Sequence, residues 1–215
     1  GAGNFASLVL LPALSKTPAV LKTIASAGGA SAAQAARKFG FQQATTDYRT
    51  MLDDPDINTL LIATPHNSHA RMVCEALEAG KHAVVEKPLA INREQLQQIA
   101  EVLRIENLEL RMSGKETRSG CEQGSGLSPQ SSILNSQHLM VGFNRRFSPL
   151  SIKARRLLET RTRPVSMVYT VNAGAMPLDH WGHDPEVGGG RIIGEGCHFI
   201  DLLCYLVGAS IVGVE

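Results

Sequence analysis

TLLIATPHNSHARMVCEALEAGKHAVVE, residues 59–86, decides the fold. Its first five residues, 59–63, are apolar with little alternation, the pattern of a parallel strand buried on both faces. Residues 67–79 carry helical spacing closed by Gly80, and residues 82–86 form a second buried strand. Strand, helix and strand joined by short connections make a βαβ unit, which predicts an α/β fold with a doubly wound parallel sheet.

The same alternation extends outward. Upstream, the sequence predicts a helix over 4–16, a strand over 20–25, a helix over 31–39 capped by Ser31 and stopped by Gly40, and a short helix over 47–53. Downstream, a helix over 92–103 starts at Asn92 and turns Leu96, Ile99 and Leu103 inward. Residues 105–137 are rich in Gly, Ser and Gln without periodicity and read as a flexible surface insertion. A strand over 138–143 and a helix over 149–160 follow. Residues 165–172 alternate like the first strand of a second sheet, 174–190 form a polar, Gly-rich loop, 191–207 a helix stopped by Gly208, and 211–215 a further strand.

Composition excludes several classes. The 215 residues are 43% hydrophobic and 19% charged with a net charge of +1, so neither a nucleic-acid footprint nor a polybasic membrane patch is present. No apolar run approaches the roughly 20 residues of a membrane span. No basic-then-apolar leader opens the chain, and Cys74, Cys121, Cys197 and Cys204 form no C-x-x-C pair, which together predict reduced thiols in a cytoplasmic protein.

Gly1-Ala2-Gly3-Asn4-Phe5-Ala6 matches G-x-G-x-x-A at the start of a helix. In such a turn the first glycine permits a tight bend, the second admits a pyrophosphate to the backbone, and the small third residue lets helix and sheet pack closely. The match predicts a Rossmann-like dinucleotide site in which Gly1, Gly3, Asn4, Phe5 and Ala6 face the cofactor. The strand that normally precedes it is absent from the sequence. Truncation, or another segment filling the gap, is therefore expected, since a sheet without its first strand presents two open edges. After the second strand stands Ser26 where an NAD site usually offers an acidic residue, so NAD and NADP both stay open.

Three further segments carry chemistry: Ala63-Thr64-Pro65-His66-Asn67-Ser68-His69, Glu86-Lys87-Pro88-Leu89, and Gly190-Arg191 leading to Gly196-Cys197-His198-Phe199-Ile200-Asp201. With the opening glycines they resemble the Gfo/Idh/MocA oxidoreductases, along essentially the whole chain outside 105–137. The stretches N-F-A, V-G-F-N-R-R-F (141–147) and G-R-I-I-G-E-G-C-H-F-I-D (190–201) resemble a branch often fused to a zinc-type alcohol dehydrogenase module. The resemblance implies a Rossmann domain over 1–145 and, over 146–215, the start of an incomplete α+β domain of mostly antiparallel sheet. It implies NAD or NADP as cofactor, a carbohydrate-type substrate, and homo-oligomerisation or the fused module as partner.

It also implies roles. Lys87 reaches the substrate hydroxyl beside the nicotinamide, and its bond to Pro88 is expected to be cis. His198 is the general acid/base. Thr64, Pro65, His66 and Glu86 line the cofactor, while Asn144, Arg145, His180, Trp181 and Glu195 join Lys87 and His198 around the substrate. The family places an Asp one helical turn before the His, but this chain has Gly194 there. Glu195 is adjacent yet points about 100° away on an ideal helix, so either a local distortion brings it in or Lys87 and His198 act without it. The pair His180 and His183 has H-x-x-H spacing, but the sequence places no third ligand, so no metal is expected. His69 is read as a capping or packing residue. The readings that compete with a dehydrogenase are an NAD-dependent glycoside hydrolase of the same family, a non-catalytic dinucleotide-binding regulator and an inactive fragment.

Overall fold

The computed structural model describes residues 1–113 and 137–214, with side chains from 105 to 113 left out. Five short strands are described, β1 (Thr23–Ala25), β2 (Gln43–Thr45), β3 (Thr59–Ile62), β4 (His82–Val85) and β5 (Leu139–Val141). All pairings among them are parallel, in two sheets of order β1-β2 and β3-β4-β5. No ladder joins β1 to β3 among the described residues, so the strands form two separate sheets. β2 escaped the sequence reading because Gln43-Ala44-Thr45 is short, polar and half exposed.

Helices separate the strands. A π-helical stretch, Ala6–Leu10, runs directly into α1 (Leu11–Leu14), followed by α2 (Gly29–Phe39) and α3 (His69–Glu78). α2 ends on Gly40 at φ 79°, a left-handed cap that suits glycine. The helix expected over 92–103 extends as α4 (Arg93–Ser113), which corrects the reading of 105–113 as insertion. Leu-rich, Gly-free sequence continues to Ser113, and helix formation needs nothing more than that local preference. The rest of the insertion reading lies outside the described residues. α5 (Pro149–Glu159) starts with Pro149 at its first position and a Ser148 hydroxyl accepting from the Ser151 N–H. α6 (Cys197–Val207) ends at Gly208 in the left-handed region, φ 73°.

Two apolar clusters match the two sheets. The larger joins Leu60 and Ile62 of β3, Ala83 and Val85 of β4, the α3 face Ala70, Val73, Ala76 and Leu77, and Ile99 of α4. The smaller gathers Leu11, Ile24, Ala35 and Ala36. Lys22 bridges the β1 side to the loop before β3 through Asp56, at 2.6 Å, and Asp54.

The stretch after residue 160 departs from expectation. The strands predicted over 165–172 and 211–215 belong to no ladder among the described residues. Alternating sequence supplies a strand with one apolar face, but a strand forms only against a partner, and here Val168, Val171, Val212 and Val214 stay exposed. What does assemble is a helical pair. Arg155 of α5 donates to the Tyr205 and Leu206 carbonyls, and Arg161 to the Val207 carbonyl, satisfying the open end of α6.

The larger cluster sets the stability of the cofactor side. Leu77 is 1% exposed at its centre. Leu77→Ala is expected to lower the unfolding free energy by about 2–5 kcal/mol in urea titration followed by circular dichroism. An equivalent loss for Leu157→Ala, whose side chain is 69% exposed, would contradict this placement of the core.

Candidate active site

The site is built at the C-terminal ends of β3 and β4, the ends at which open parallel sheets bind their ligands. β4 delivers Glu86 and Lys87, and the Lys87–Pro88 bond is cis, as expected. The Lys87 ammonium donates to the Gly194 carbonyl at 2.8 Å and to Glu195 Oε1 at 2.9 Å. Two of its three N–H groups are therefore committed, and the third remains to be shared.

Glu195 reaches Lys87 from a local distortion. Ile192–Gly196 is π-helical rather than α-helical, so the angular spacing assumed from an ideal helix does not hold there. Gly194 is explained by its surroundings. A Cβ at this position would lie 3.3 Å from His66 Cε1 and 3.4 Å from the Gly188 carbonyl oxygen. The His66 ring holds the space that a carboxylate side chain at 194 would enter.

His66 enters from the loop after β3. Its Nδ1–H donates to the Gly188 carbonyl at 2.9 Å, and its ring meets Trp181 edge-on at 4.7 Å between centroids. The Asn67 N–H donates to Val187 at 3.1 Å. Through these contacts the segment 181–190 lies against the β3 loop. His69, expected to cap or pack, does more than that. Fully buried, it places Nδ1 2.7 Å from the Pro88 carbonyl and Nε2 2.9 Å from the Thr64 carbonyl, fastening the lysine loop to the β3 loop. Nothing in its position at the start of a helix signalled this, since both partners are backbone oxygens from elsewhere in the chain.

His198 is 6% exposed, packs edge-on against Phe143, and its Nδ1 has no hydrogen-bond partner among the described residues. Burial holds its imidazole below the ordinary histidine value, and the charges of Lys87 and Arg145 push the same way against a smaller opposing pull from Glu195. His66 and His69 are likewise lowered, first by burial. Glu86 is raised by burial, and a Cβ on neighbouring Gly142 would stand 2.9 Å from its Oε1.

Arg145 stands over the Phe199 ring at 4.5 Å and donates to the Tyr169 hydroxyl at 3.4 Å; Tyr169 and Phe199 stack at 4.8 Å. Its neighbour Arg146 is instead paired with the nearly buried Asp201. Asn144 is exposed at the start of the same 3₁₀ turn. The His180 Nδ1 accepts from the Gly182 N–H at 3.0 Å, and Trp181 is half exposed. No group of three or more His, Cys, Asp or Glu side chains that could hold a metal occurs among the described residues.

The expected cofactor residues are divided between the loop after β3 and the end of β1. Gly1 is tightly packed, because a Cβ there would lie 2.1 Å from the Ala63 carbonyl oxygen, whereas a Cβ on Gly3 would meet nothing within 4 Å. Asn4 and Phe5 are exposed and Ala6 is buried. The Thr64 hydroxyl bonds Ser68 at 2.7 Å. Ser26, at the end of β1, shares a 3.0 Å bond with Ser31 and belongs to the other sheet's edge. The structure thus gathers Lys87, Glu195, His198, Arg145, His66 and Trp181, and leaves Asn144 on the surface beside them.

Residues 1–112 match the GFO_IDH_MocA family, described as an oxidoreductase family with an NAD-binding Rossmann fold. The chain is 32% identical over 196 residues to levoglucosan dehydrogenase of Pseudarthrobacter phenanthrenivorans, covering 88% of this chain and 43% of that protein. It is 30% identical over 187 residues to the NAD-dependent scyllo-inositol 2-dehydrogenase of Bacillus subtilis, covering 86% and 45%. A solved levoglucosan dehydrogenase in complex with NADH and levoglucosan superposes with a TM-score of 0.71 at 30% identity, over 97% of this chain and 52% of that one. The chain spans about half the length of these relatives. Among the described residues, no helix is long and apolar enough to cross a membrane.

The electrostatics of His198 are open to direct measurement. Its titration in NMR spectra is expected below that of an exposed histidine, and Lys87→Met should move it upward by removing a nearby positive charge. A downward or absent shift in the variant would show that the ammonium does not act on this imidazole.

Proposed function

The chain belongs to the Gfo/Idh/MocA oxidoreductase family, and from that premise we propose that it is an NAD(P)-dependent dehydrogenase acting on a CH–OH group of a sugar, sugar nucleotide or cyclitol. The observation that carries this is the approach of Lys87 to Glu195, 108 positions away in the chain, beside a buried histidine with an unpartnered ring nitrogen among the described residues. We assign residues 1–145 to the dinucleotide and 146–215 to the substrate side, with the crevice between them holding the reacting carbon.

The residues present fit a dinucleotide. Gly1 can carry no side chain without striking Ala63, and the space at Gly3 is open, so backbone is presented where a diphosphate would approach. Asn4, Phe5 and Ala6 continue that edge, and Thr64, Pro65, His66 and Glu86 line the path toward Lys87. Ser26 lies where the adenosine ribose would be read, and both cofactor forms are compatible with its neutral hydroxyl. When bound, the nicotinamide ring supplies the hydride acceptor.

The chain's own groups handle the proton. His198, disfavoured in its charged form by burial and by neighbouring cations, offers its imidazole to the substrate hydroxyl and takes the proton. The remaining N–H of Lys87 donates to the same oxygen and stabilises the negative charge that develops there. Glu195 and the Gly194 carbonyl orient the ammonium, so Lys87 acts as donor to the oxygen. Trp181 offers a half-exposed ring to the sugar beside His180, and Asn144 and Arg145 are assigned to the same substrate. In the reductive direction His198 returns the proton to the oxygen while Lys87 continues to donate to it.

Two measurements test the reading. Gly3→Val should leave the circular dichroism spectrum intact, because nothing packs against that position, while weakening NADH or NADPH binding in fluorescence titration by about tenfold or more. Lys87→Met and His198→Asn should each reduce turnover by roughly 10²–10⁴-fold with little change in dinucleotide affinity. Failure of the wild-type protein to bind either dinucleotide would remove the proposal.

A further inference from the structure

Among the described residues, arginines near the site differ in how their charge is met. Arg146 is paired with Asp201, and Arg155 with Glu159 and the end of α6. Arg161 serves backbone carbonyls, and Arg191 donates to the Gly174 carbonyl at 2.9 Å. Arg145 is different. It has no carboxylate within ion-pair distance among the described residues, and its one hydrogen bond, to the Tyr169 hydroxyl, is long at 3.4 Å.

Arg145 is nevertheless held. Its guanidinium lies over the face of Phe199, which is itself stacked on Tyr169, so the flat cation is seated on an aromatic pair instead of trailing in water. Phe199 follows His198 directly in the chain, and the Arg145 charge acts on both His198 and Glu195. With Lys87 matched by Glu195, Arg145 has no ion-pair partner of its own among the described residues and shares only a longer-range attraction to that carboxylate.

We propose that Arg145 anchors an anionic group of the substrate, so that the alcohol this site oxidises is an acidic one: a sugar or cyclitol carrying a carboxylate or a phosphate. This rests on the assignment of the crevice as the substrate site. A guanidinium presents paired N–H donors that match the two oxygens of a carboxylate or phosphate, and such charge-assisted pairs are stronger than bonds to neutral hydroxyls. An anionic group on Arg145 would fix the ring's orientation while Lys87 and His198 face the reacting hydroxyl. No redox chemistry is asked of Arg145; it is a specificity-determining residue.

The test reads the Arg145 side chain itself. Protein labelled with ¹⁵N-arginine is titrated with glucuronate, glucose 6-phosphate and glucose, with and without NADH, while the Arg145 Nε–Hε resonance is followed. One or both acids should shift that resonance and saturate, with glucose requiring at least about tenfold higher concentration. The two acids distinguish a carboxylate from a phosphate anchor. Arg145→Met should weaken acid binding by roughly ten- to hundredfold and glucose binding by much less, and Arg145→Lys should fall between for the acids, since it keeps the charge and loses the fork. Equal responses to glucose and the acids, or a Met variant that binds them as wild type does, would overturn the proposal. NADH affinity is scored separately: its absence would count against the dehydrogenase reading, while the arginine resonance still decides the anion site.

Discussion

One ammonium group ties the molecule's functional halves together. Lys87 leaves the end of a buried parallel strand and finds its acceptors on a helix more than a hundred residues away, at the Gly194 carbonyl and the Glu195 carboxylate. Its side chain is only 15% exposed, so a lysine in that place without an acceptor would carry an uncompensated charge in a poorly solvated crevice. The π-helical turn Ile192–Gly196 is what brings both acceptors within reach. Everything proposed for the site follows from that meeting, because it fixes where Lys87 points and where His198 sits relative to it.

The parts legible from the residues themselves were those governed by local rules. The apolar strands over 59–63 and 82–86 and the glycine stops at Gly40, Gly80 and Gly208 depend on a few neighbouring residues, whereas the cis bond before Pro88 was expected from the family resemblance. Lys87 and His198 could be singled out, and Glu195 could be suspected, but the geometry that unites them could not. Helical spacing assumes an α-helix, and the π turn changes that spacing without a marker in the residue types. The strands expected over 165–172 and 211–215 failed for the opposite reason. Alternation reports a preference for one face, whereas a ladder needs a second chain segment to pair with. α4 ran past its expected end because a loss of apolar periodicity is not a helix stop in the absence of Gly or Pro.

Gly194 shows how a departure from a family pattern can be read physically. Taken alone, its missing carboxylate weakens the case for catalysis. In the folded chain the missing side chain is the condition for His66 to lie beside Gly194 and bond the Gly188 carbonyl. The carboxylate is supplied one residue later, and it meets the lysine instead of the histidine. The charge that would have favoured a protonated His198 is thereby engaged elsewhere, which agrees with burial holding that imidazole neutral. A neutral imidazole is the form able to accept a proton from an alcohol.

His69 sharpens the point about protons. Its two ring nitrogens face two carbonyl oxygens, and a carbonyl only accepts. A neutral imidazole has one N–H and can donate to one of them, leaving the other nitrogen's lone pair against an oxygen. An imidazolium would satisfy both, but burial opposes the charge, and His66 and Lys87 oppose it further. The two backbone bonds pull in the other direction without overturning that balance. The loop from β3 and the loop from β4 therefore share a single donor, and one rigid ring sets the spacing between the Thr64 and Pro88 carbonyls. A longer or more flexible side chain could reach the same oxygens, but it would not hold Pro88, and with it Lys87, at a fixed distance from Thr64.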